Sequence, residues 1–365
     1  MGQVIRVMLA DDSSIVRRLM TQVISGNPRC QLVYSAKNGQ EAVDNFRSVA
    51  PDLVMLDVEM PVLDGIEAVK QLKALDADLP IIMCSSLTSR GGQATIEALA
   101  NGANDYITKP AGVGHVNEAL AQLERELMPK IILWGDRRLS RRAAKAAIAG
   151  KQVTPAKITP QSAASLGPIG IVAVGVSTGG PNALAEFLPG LAEQLSVPMV
   201  IAQHMPPTFT KLLAERLTAT SHLNVKEAED GSLLEPGTVW IAPGDYHLIV
   251  KRRGTSMVCG LNREPPENSC RPSVDVLFRS VADCFGKQAL AVVLTGMGRD
   301  GVLGCQKIRE CGGRIVVQDE ATSTVWGMPR AVAEAGLADQ ILPVREIAQE
   351  IARHLKRSAP AALAR

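Results

Sequence analysis

Aromatic residues are scarce in this chain: 3 Trp, 3 Tyr and 5 Phe among 365 residues. Its cores must therefore be aliphatic, and a stacking platform for single-stranded nucleic acid is not expected. An excess of one charge is also lacking. Lys and Arg number 39 against 37 Asp and Glu, and the net +2 gives no global attraction to DNA or anionic membrane. No apolar run approaches the roughly 18 residues of a membrane span. The opening Met-Gly-Gln-Val-Ile-Arg-Val-Met-Leu-Ala-Asp-Asp meets two acids too soon for a signal peptide and reads as a first strand, so a cytoplasmic protein is expected. The cysteines, at positions 30, 84, 259, 270, 284, 305 and 311, are odd in number and include no Cys-x-x-Cys pair. That pattern argues against a disulfide framework or a structural zinc site, and buried free thiols are expected. No repeat of fixed period is present.

What remains is a globular composition, 46% hydrophobic and 21% charged, long enough for two or three domains. Residues 1–128 alternate short apolar runs with helix-period stretches five times. Strands are expected over 4–10, 31–36, 52–57, 81–85 and 105–108. Between and after them, Ile15, Leu19 and Val23 form one apolar stripe, and Val113, Val116, Leu120, Leu123 and Leu127 another. The alternation implies an α/β domain with a doubly wound parallel sheet of (βα)5 type.

Residues 129–168 differ. They carry Lys130, Arg137, Arg138, Arg141, Arg142, Lys145, Lys151 and Lys157 against Asp136, a net +7, whereas residues 1–128 sum to −5 and residues 169–365 to zero. A linker is expected, helical as far as 148 and loose in the Pro/Ser/Ala-rich part beyond 152. Such a run can bind nucleic acid or acidic lipid, but a solvated spacer is the expected role. A second α/β domain with a mostly parallel sheet is expected over 169–353. Its strands are read at 169–176, 198–203, 238–242, 248–251, 289–294 and 314–317, and its helices at 181–188, 208–218, 273–285, 302–310 and 329–335. A hairpin is expected within 233–259 and a frayed tail over 354–365.

In the first domain acids fall at strand ends: Asp11 and Asp12 after the first strand, Asp57 at the end of the third. The carboxyl ends of a doubly wound sheet form its ligand crevice. Three converging carboxylates there suit a hard divalent cation such as Mg²⁺. Ser85 ends the fourth strand and Lys109 follows the fifth, so metal, carboxylate, hydroxyl and ammonium could together hold a phosphoryl group. The stretches Leu9-Ala-Asp-Asp-Ser13, Met55-Leu-Asp-Val-Glu-Met-Pro-Val-Leu-Asp-Gly65, Cys84-Ser-Ser86 and Gly102-Ala-Asn-Asp-Tyr-Ile-Thr-Lys-Pro110 resemble the response-regulator receiver domain. The resemblance implies that Asp57 is the phospho-acceptor. It also implies Asp11, Asp12 and Asp57 as Mg²⁺ ligands beside the Glu59 carbonyl, Ser85 and Tyr106 as the switch pair, and Lys109 as a contact to the phosphoryl oxygens.

The second domain opens on an apolar strand followed by Gly175-Val-Ser-Thr-Gly179-Gly-Pro181. This fits G-x-S-x-G, a sharp strand-to-helix turn that exposes a hydroxyl, here Ser177. A dinucleotide-binding turn is the rival, but the glycine at the third position of its G-x-G-x-x-G is replaced by Ser177 and no P-loop is present. A serine nucleophile needs a base and a group to orient that base. His115, His222 and His354 lie in polar segments and read as surface residues, and His247 reads as a loop residue. His204 ends the next strand and should share the sheet edge with Ser177. Asp300 sits in the glycine-rich loop Leu294-Thr-Gly-Met-Gly-Arg-Asp-Gly301, where capping the following helix is its ordinary alternative role.

The order Ser177, His204, Asp300 is not that of α/β-hydrolases, chymotrypsin-like or subtilisin-like enzymes. Together with Ala202-Gln-His-Met-Pro-Pro-Thr-Phe-Thr210, Ala242-Pro-Gly-Asp-Tyr-His247 and Arg271-Pro-Ser-Val-Asp-Val-Leu-Phe278, these segments resemble the catalytic domain of the chemotaxis protein-glutamate methylesterases, over about 169–351. The resemblance implies hydrolysis of γ-glutamyl methyl esters on chemoreceptors, with deamidation of receptor glutamines as a second activity. It implies Ser177 as nucleophile, His204 as base, Asp300 as its orienter, and the backbone N–H groups of Thr178 and Met297 as the oxyanion hole. It further implies Mg²⁺ in the receiver only, a chemotaxis histidine kinase as phosphodonor, methyl-accepting chemoreceptors as substrates, and inhibition by the unphosphorylated receiver. Two alternatives stay open. One is a phosphorylation-gated binding protein with a vestigial esterase; the other is a DNA-binding regulator using the arginines of 137–142, although no helix-turn-helix pattern follows the receiver.

Overall fold

The computed structural model describes residues 3–109, 116–148 and 168–358, and the chain divides into two compact units, Met1–Lys157 and Ile158–Arg365. Unit one runs β1 (Ile5–Ala10), α1 (Ser14–Ser25), β2 (Cys30–Ala36), α2 (Gly39–Val49), β3 (Leu53–Asp57), α3 (Gly65–Leu75), β4 (Ile81–Ser85), α4 (Ser89–Ala100), β5 (Asp105–Thr108) and α5 (Val116–Ile148). Every strand pair is parallel, in the order β2-β1-β3-β4-β5. Strands β3 and β4 are buried along their whole length, which is why they read as unbroken apolar runs. Each of the first four helices starts at a polar cap: Ser13, Asn38, Asp64 and Thr88 accept from an N–H three residues on. On α1 the expected period holds but the phase shifts. Ile15 is 56% exposed, while Met20, Val23 and Ile24 face the core.

The helix expected as far as 148 is present, but over 129–148 it is not a solvated spacer. Helix α5 continues unbroken past Pro129 to Ile148 and buries Ile131 and Trp134 in the same core as β1 and β3. Four of its basic residues meet acids of unit one. Lys130 pairs with Asp105 at 2.7 Å, Arg142 with Asp52 at 2.5 Å, Arg141 with Asp78 at 3.7 Å, and Arg138 with Asp76. Four of the eight basic residues of this stretch thus meet acids of the segment before it. The possible contact to DNA through residues 137–142 loses its motive. Val113, His115 and the expected loose stretch over 149–167 lie outside the described residues.

Unit two runs β6 (Ile171–Val176), α6 (Gly180–Phe187), β7 (Met199–Gln203), α7 (Phe209–Ser221), β8 (Asn224–Glu227), β9 (Thr238–Ile241), β10 (His247–Arg253), β11 (Ser256–Asn262) and α8 (Val274–Phe285). It continues with β12 (Ala289–Val293), α9 (Val302–Glu310), β13 (Arg314–Gln318), α10 (Met328–Glu334), β14 (Gln340–Leu342) and α11 (Val344–Ser358). Seven strands form a parallel sheet in the order β14-β13-β12-β6-β7-β9-β8, and β10 and β11 make a separate antiparallel hairpin turning at Gly254. Short β8 and β14 and helix α11 escaped the sequence reading. The tail is corrected too: α11 reaches Ser358 with His354 and Leu355 buried, because its apolar face packs against α6. Residues 359–365 lie outside the described residues. Among the described residues no helix is long and apolar enough to cross a membrane.

The packing of α5 predicts that Ile131→Ala, which opens a cavity at a fully buried position, destabilises unit one by about 2–5 kcal/mol. Faster exchange of the β1 and β3 amides measures this. Unchanged exchange would show that the second half of α5 is not part of that core.

Candidate functional site

Both sheets reverse their winding at one place, and both clusters of expected site residues lie there. In unit one the reversal falls between β1 and β3. Asp11 is fully buried and Asp57 nearly so, while Asp12 is exposed. Lys109 Nζ lies 2.8 Å from Asp11 Oδ2 and 2.8 Å from Asp57 Oδ2, and Ser13 N–H donates to Asp11 Oδ1 at 2.8 Å. One ammonium serves two buried carboxylates, so negative charge is left over. Burial, with the Asp11 charge adding to it, pushes the Asp57 carboxyl up to about 6 despite Lys109. Burial likewise raises Asp11. Asp11 Oδ2 is enclosed, and the ammonium it meets is one it shares with Asp57. Two buried carboxylates that share one ammonium, with the Asp12 carboxylate beside them, fit a hard, oxygen-seeking divalent cation.

Surrounding residues are fixed around this pocket. Gly65 sits so close to Asp57 that a methyl group would fall 2.1 Å from the Asp57 carbonyl oxygen, so only glycine allows α3 to start there. The Glu59 carboxylate turns outward to Arg90 at 3.1 Å, leaving its carbonyl as the group it could offer a metal. Ser85 is buried and donates to the Ser86 carbonyl at 3.2 Å, and the Lys109 N–H donates to the Ser85 carbonyl at 2.7 Å. Tyr106 is half-buried, its ring 5.1 Å from the Lys130 ammonium.

In unit two the reversal falls between β6 and β12. Ser177 follows β6, His204 follows the neighbouring β7, and the loop 295–301 follows β12. The elbow is built by Gly179 at φ +79°, with Pro181 in the first turn of α6. Ser177 N–H donates to the Thr295 carbonyl at 3.0 Å, and the Ser177 carbonyl accepts from Gln203 Nε2 at 3.0 Å. Gly296 presses on the serine; a methyl there would lie 2.8 Å from Ser177 Cβ. The backbone N–H groups of Thr178 and of Met297, the residue after Gly296, donate to no group among the described residues.

His204 Nε2 lies 2.8 Å from Asp300 Oδ2, and Nδ1 lies 3.5 Å from Cys270 Sγ. Both ring nitrogens thus have partners, and neither partner is Ser177 Oγ. Asp300 does not cap the helix that follows it; Gly301 occupies that position. It instead accepts at the N-terminus of α8: Val274 N–H at 2.7 Å on Oδ2, and Asp275 N–H at 3.1 Å, Ser273 Oγ at 2.9 Å and Asn268 Nδ2 at 2.9 Å on Oδ1. Burial alone would raise the Asp300 carboxyl, but the imidazole and the α8 N–H groups outweigh it and hold it at about 2. Burial alone would lower His204, but its bonds to Asp300 and Cys270 lift it to about 9. Asp275, buried behind Asp300, is pushed up to about 6 by that burial and by the Asp300 charge, against the Gly304 N–H it accepts from.

Several of these partners went unassigned in the sequence. Asn268, Ser273 and Asp275 flank or begin the 271–278 stretch, which was visible only as a resemblance, and nothing in their spacing discloses that they converge on Asp300. Cys270 is half-buried against the imidazole rather than one more enclosed thiol, and Cys284 and Cys311 are half-buried too. Two other histidines are also corrected. His247 is fully buried, its Nδ1 accepting from the Ser273 N–H at 3.2 Å, and His354 is buried against Glu350 at 2.9 Å. His222 is exposed as expected.

Comparison with known proteins follows this geometry. The model of the CheB methylesterase family matches residues 172–351, and that of the response regulator receiver domain matches residues 7–121. The protein-glutamate methylesterase/protein-glutamine glutaminase of Trichodesmium erythraeum is 47% identical over 350 residues, covering 96% of this chain and 99% of that protein. Its namesake from a Nocardioides species is 46% identical over 359 residues, covering 98% and 97%. Among solved structures, the Thermotoga maritima CheB methylesterase catalytic domain is 43% identical with a TM-score of 0.50, covering 51% of this chain and 98% of that one. A response regulator receiver domain therefore precedes a CheB methylesterase domain over nearly the full length of these relatives, and the chain belongs to the protein-glutamate methylesterase/protein-glutamine glutaminase family.

Proposed function

We propose that the chain is a chemotaxis hydrolase that converts γ-glutamyl methyl esters of chemoreceptors to glutamate and methanol, and receptor glutamines to glutamate and ammonia, under control of phosphorylation at Asp57. The observation that carries the catalytic half is the 2.8 Å contact of His204 with a buried, ionised Asp300 at the strand edge where Ser177 stands on its elbow. Ser177 Oγ attacks the ester carbonyl and its proton passes to His204. Asp300 binds Nε2, so Nδ1 is the nitrogen that takes the proton, and substrate binding must bring Oγ to it. The tetrahedral oxyanion is met by the N–H groups of Thr178 and Met297. Collapse returns the proton to the leaving methanol, and water repeats the cycle on the acyl-serine. Asp300 stays ionised throughout and stabilises the imidazolium.

In unit one, Asp11, Asp12 and Asp57, with the Glu59 carbonyl, would hold Mg²⁺, which when bound offsets the repulsion between the acceptor carboxylate and an incoming phosphoryl group. Asp57 accepts the phosphoryl group, Lys109 moves onto its oxygens, and Ser85 and Tyr106 rearrange with it. A chemotaxis histidine kinase is the proposed donor, methyl-accepting chemoreceptors the proposed substrates, and the cytoplasm the proposed location. The receiver occupies 1–148 in this reading, the catalytic domain 169–358, and the unphosphorylated receiver restrains the esterase.

Three outcomes are expected. Ser177→Ala lowers methanol release from methylated receptors by a factor on the order of 10⁴–10⁶. Near-normal release would remove the nucleophile assignment and leave a phosphorylation-gated binding protein.

The second outcome concerns pH. His204 must be neutral to act as base, and the Asp300 contact holds it protonated up to about pH 9, so kcat/KM rises with pH to a midpoint well above the ordinary 6.5. Asp300→Asn removes that support, so the midpoint moves down toward or below about 6.5 while kcat falls roughly 10⁴-fold. An unmoved midpoint would separate Asp300 from the base.

The third outcome concerns control. A small phosphodonor with Mg²⁺ activates the whole chain, Asp57→Ala abolishes the response, and deletion of residues 1–150 raises basal activity above that of the unphosphorylated chain. A deletion variant no faster than the unphosphorylated chain would assign the receiver a role other than restraint.

A further inference from the structure

Cys270 stands apart from the other cysteines. Burial pushes the thiols of Cys30, Cys84, Cys284 and Cys305 up and that of Cys259 up to about 12, which makes them poor nucleophiles. Cys270 is half-buried, and among the described residues it is the cysteine whose sulfur meets a histidine, 3.5 Å from His204 Nδ1. The far nitrogen of that ring is held by Asp300, so sulfur, imidazole and carboxylate stand in line. This is the kind of neighbour that activates a thiol: an imidazolium anchored by a carboxylate, set against the sulfur.

The sulfur is also held in place by its surroundings. Glu267 and Cys270 exchange backbone hydrogen bonds at 3.1 and 2.9 Å across a tight turn whose central residues, Asn268 and Ser269, both have left-handed backbone at φ +53° and +62°. Neither is glycine, so the turn is strained, and side-chain bonds sustain it. Asn268 Nδ2 reaches Asp275 and Asp300, each at 2.9 Å, and Glu267 takes both guanidinium nitrogens of Arg279 at 2.7 and 2.6 Å. A metal ion shared by His204, Cys270 and Asp300 is disfavoured, because five donors already occupy the Asp300 oxygens.

We propose that Cys270 is a peroxide-sensitive modification site whose oxidation silences the hydrolase. The Cys270 thiolate attacks one peroxide oxygen: an S–O bond forms, the O–O bond breaks, and the departing hydroxide takes the proton from His204 as water. Sulfur is oxidised by two electrons to the sulfenic acid and hydrogen peroxide is reduced to water. The new S–OH lies against His204 Nδ1, the nitrogen that must take the Ser177 proton, and blocks it. A thiol restores the site by displacing water from sulfur, and a second thiol equivalent then releases Cys270 from the mixed disulfide. The activity consequence rests on His204 serving as the esterase base; the site itself does not.

The whole chain is treated with hydrogen peroxide, trapped with dimedone and mapped by peptide mass spectrometry, while methanol release is followed against each protein's own untreated rate. The dimedone adduct is expected on Cys270 about tenfold ahead of Cys311, and wild-type release is expected to fall by about tenfold and return with dithiothreitol. Cys270→Ser is expected to keep most of its own rate under the same treatment. Absence of the adduct from Cys270 would overturn the site, and full activity with Cys270 sulfenylated would overturn the block. If Cys270→Ser fails to fold, the parallel time courses of adduct and activity in the wild-type chain decide the same question. A wild-type chain that releases no methanol before treatment would overturn the methylesterase reading, and the dimedone map would still decide the site.

Discussion

The catalytic half depends on one carboxylate. Asp300 is buried and yet ionised, which is possible only because five donors converge on its two oxygens. Two of them are the first N–H groups of α8, which no helix can satisfy internally and whose dipole favours a negative charge. The carboxylate therefore completes α8 and orients His204 in the same act. It also ties the turn at 267–270 and the adjoining start of α8 to the loop after β12, 25 or more residues later. His247 belongs to this scaffold one step out, since its Nδ1 accepts from the N–H of Ser273, whose hydroxyl donates to Asp300.

The two sheet edges use buried aspartates in opposite ways. Asp57 has too few donors for its burial and rises to about 6, whereas Asp300 has more than enough and falls to about 2. The first arrangement leaves a site short of positive charge, suited to a cation and a transferable phosphoryl group. The second produces a permanent anion, suited to holding a histidine. Position at a switch point is common to both, so position alone does not set the chemistry; the number of donors around each carboxylate does.

Much of this was legible in the sequence because its physics is local. Strands buried on both faces read as unbroken apolar runs, and strand ends carry the chemistry, so Asp11, Asp57, Ser177 and His204 were all visible from where their strands stop. What was not visible depends on long-range partners. Asp300 reads as the group that orients His204, with capping of α9 as its alternative; its bonds to the N-terminus of α8, 25 residues earlier, cannot be foreseen from spacing. Residues 130–142 looked like a solvated spacer because the acids they meet, Asp52, Asp76, Asp78 and Asp105, come from strand and helix ends upstream. His247 looked like a loop residue, and only the fold shows that it lies buried under Ser273. Strands of three or four residues such as β8 and β14 are too short for any period to declare itself.

The basic second half of α5 bears on how a phosphoryl charge can act. Lys130, Arg138, Arg141 and Arg142 already neutralise acids of their own unit, so a new anion at Asp57 cannot draw on them without breaking existing pairs. The cation at hand is Lys109, which bridges Asp11 and Asp57. Moving it onto a phosphoryl oxygen leaves Asp11 with a buried oxygen and no partner, a cost of several kcal/mol unless a divalent ion takes the place of the ammonium. On the proposed reading, a divalent ion and a phosphoryl group at Asp57 would thus favour each other, and the Lys109 backbone, hydrogen-bonded to Ser85, would link their arrival to β4 and β5.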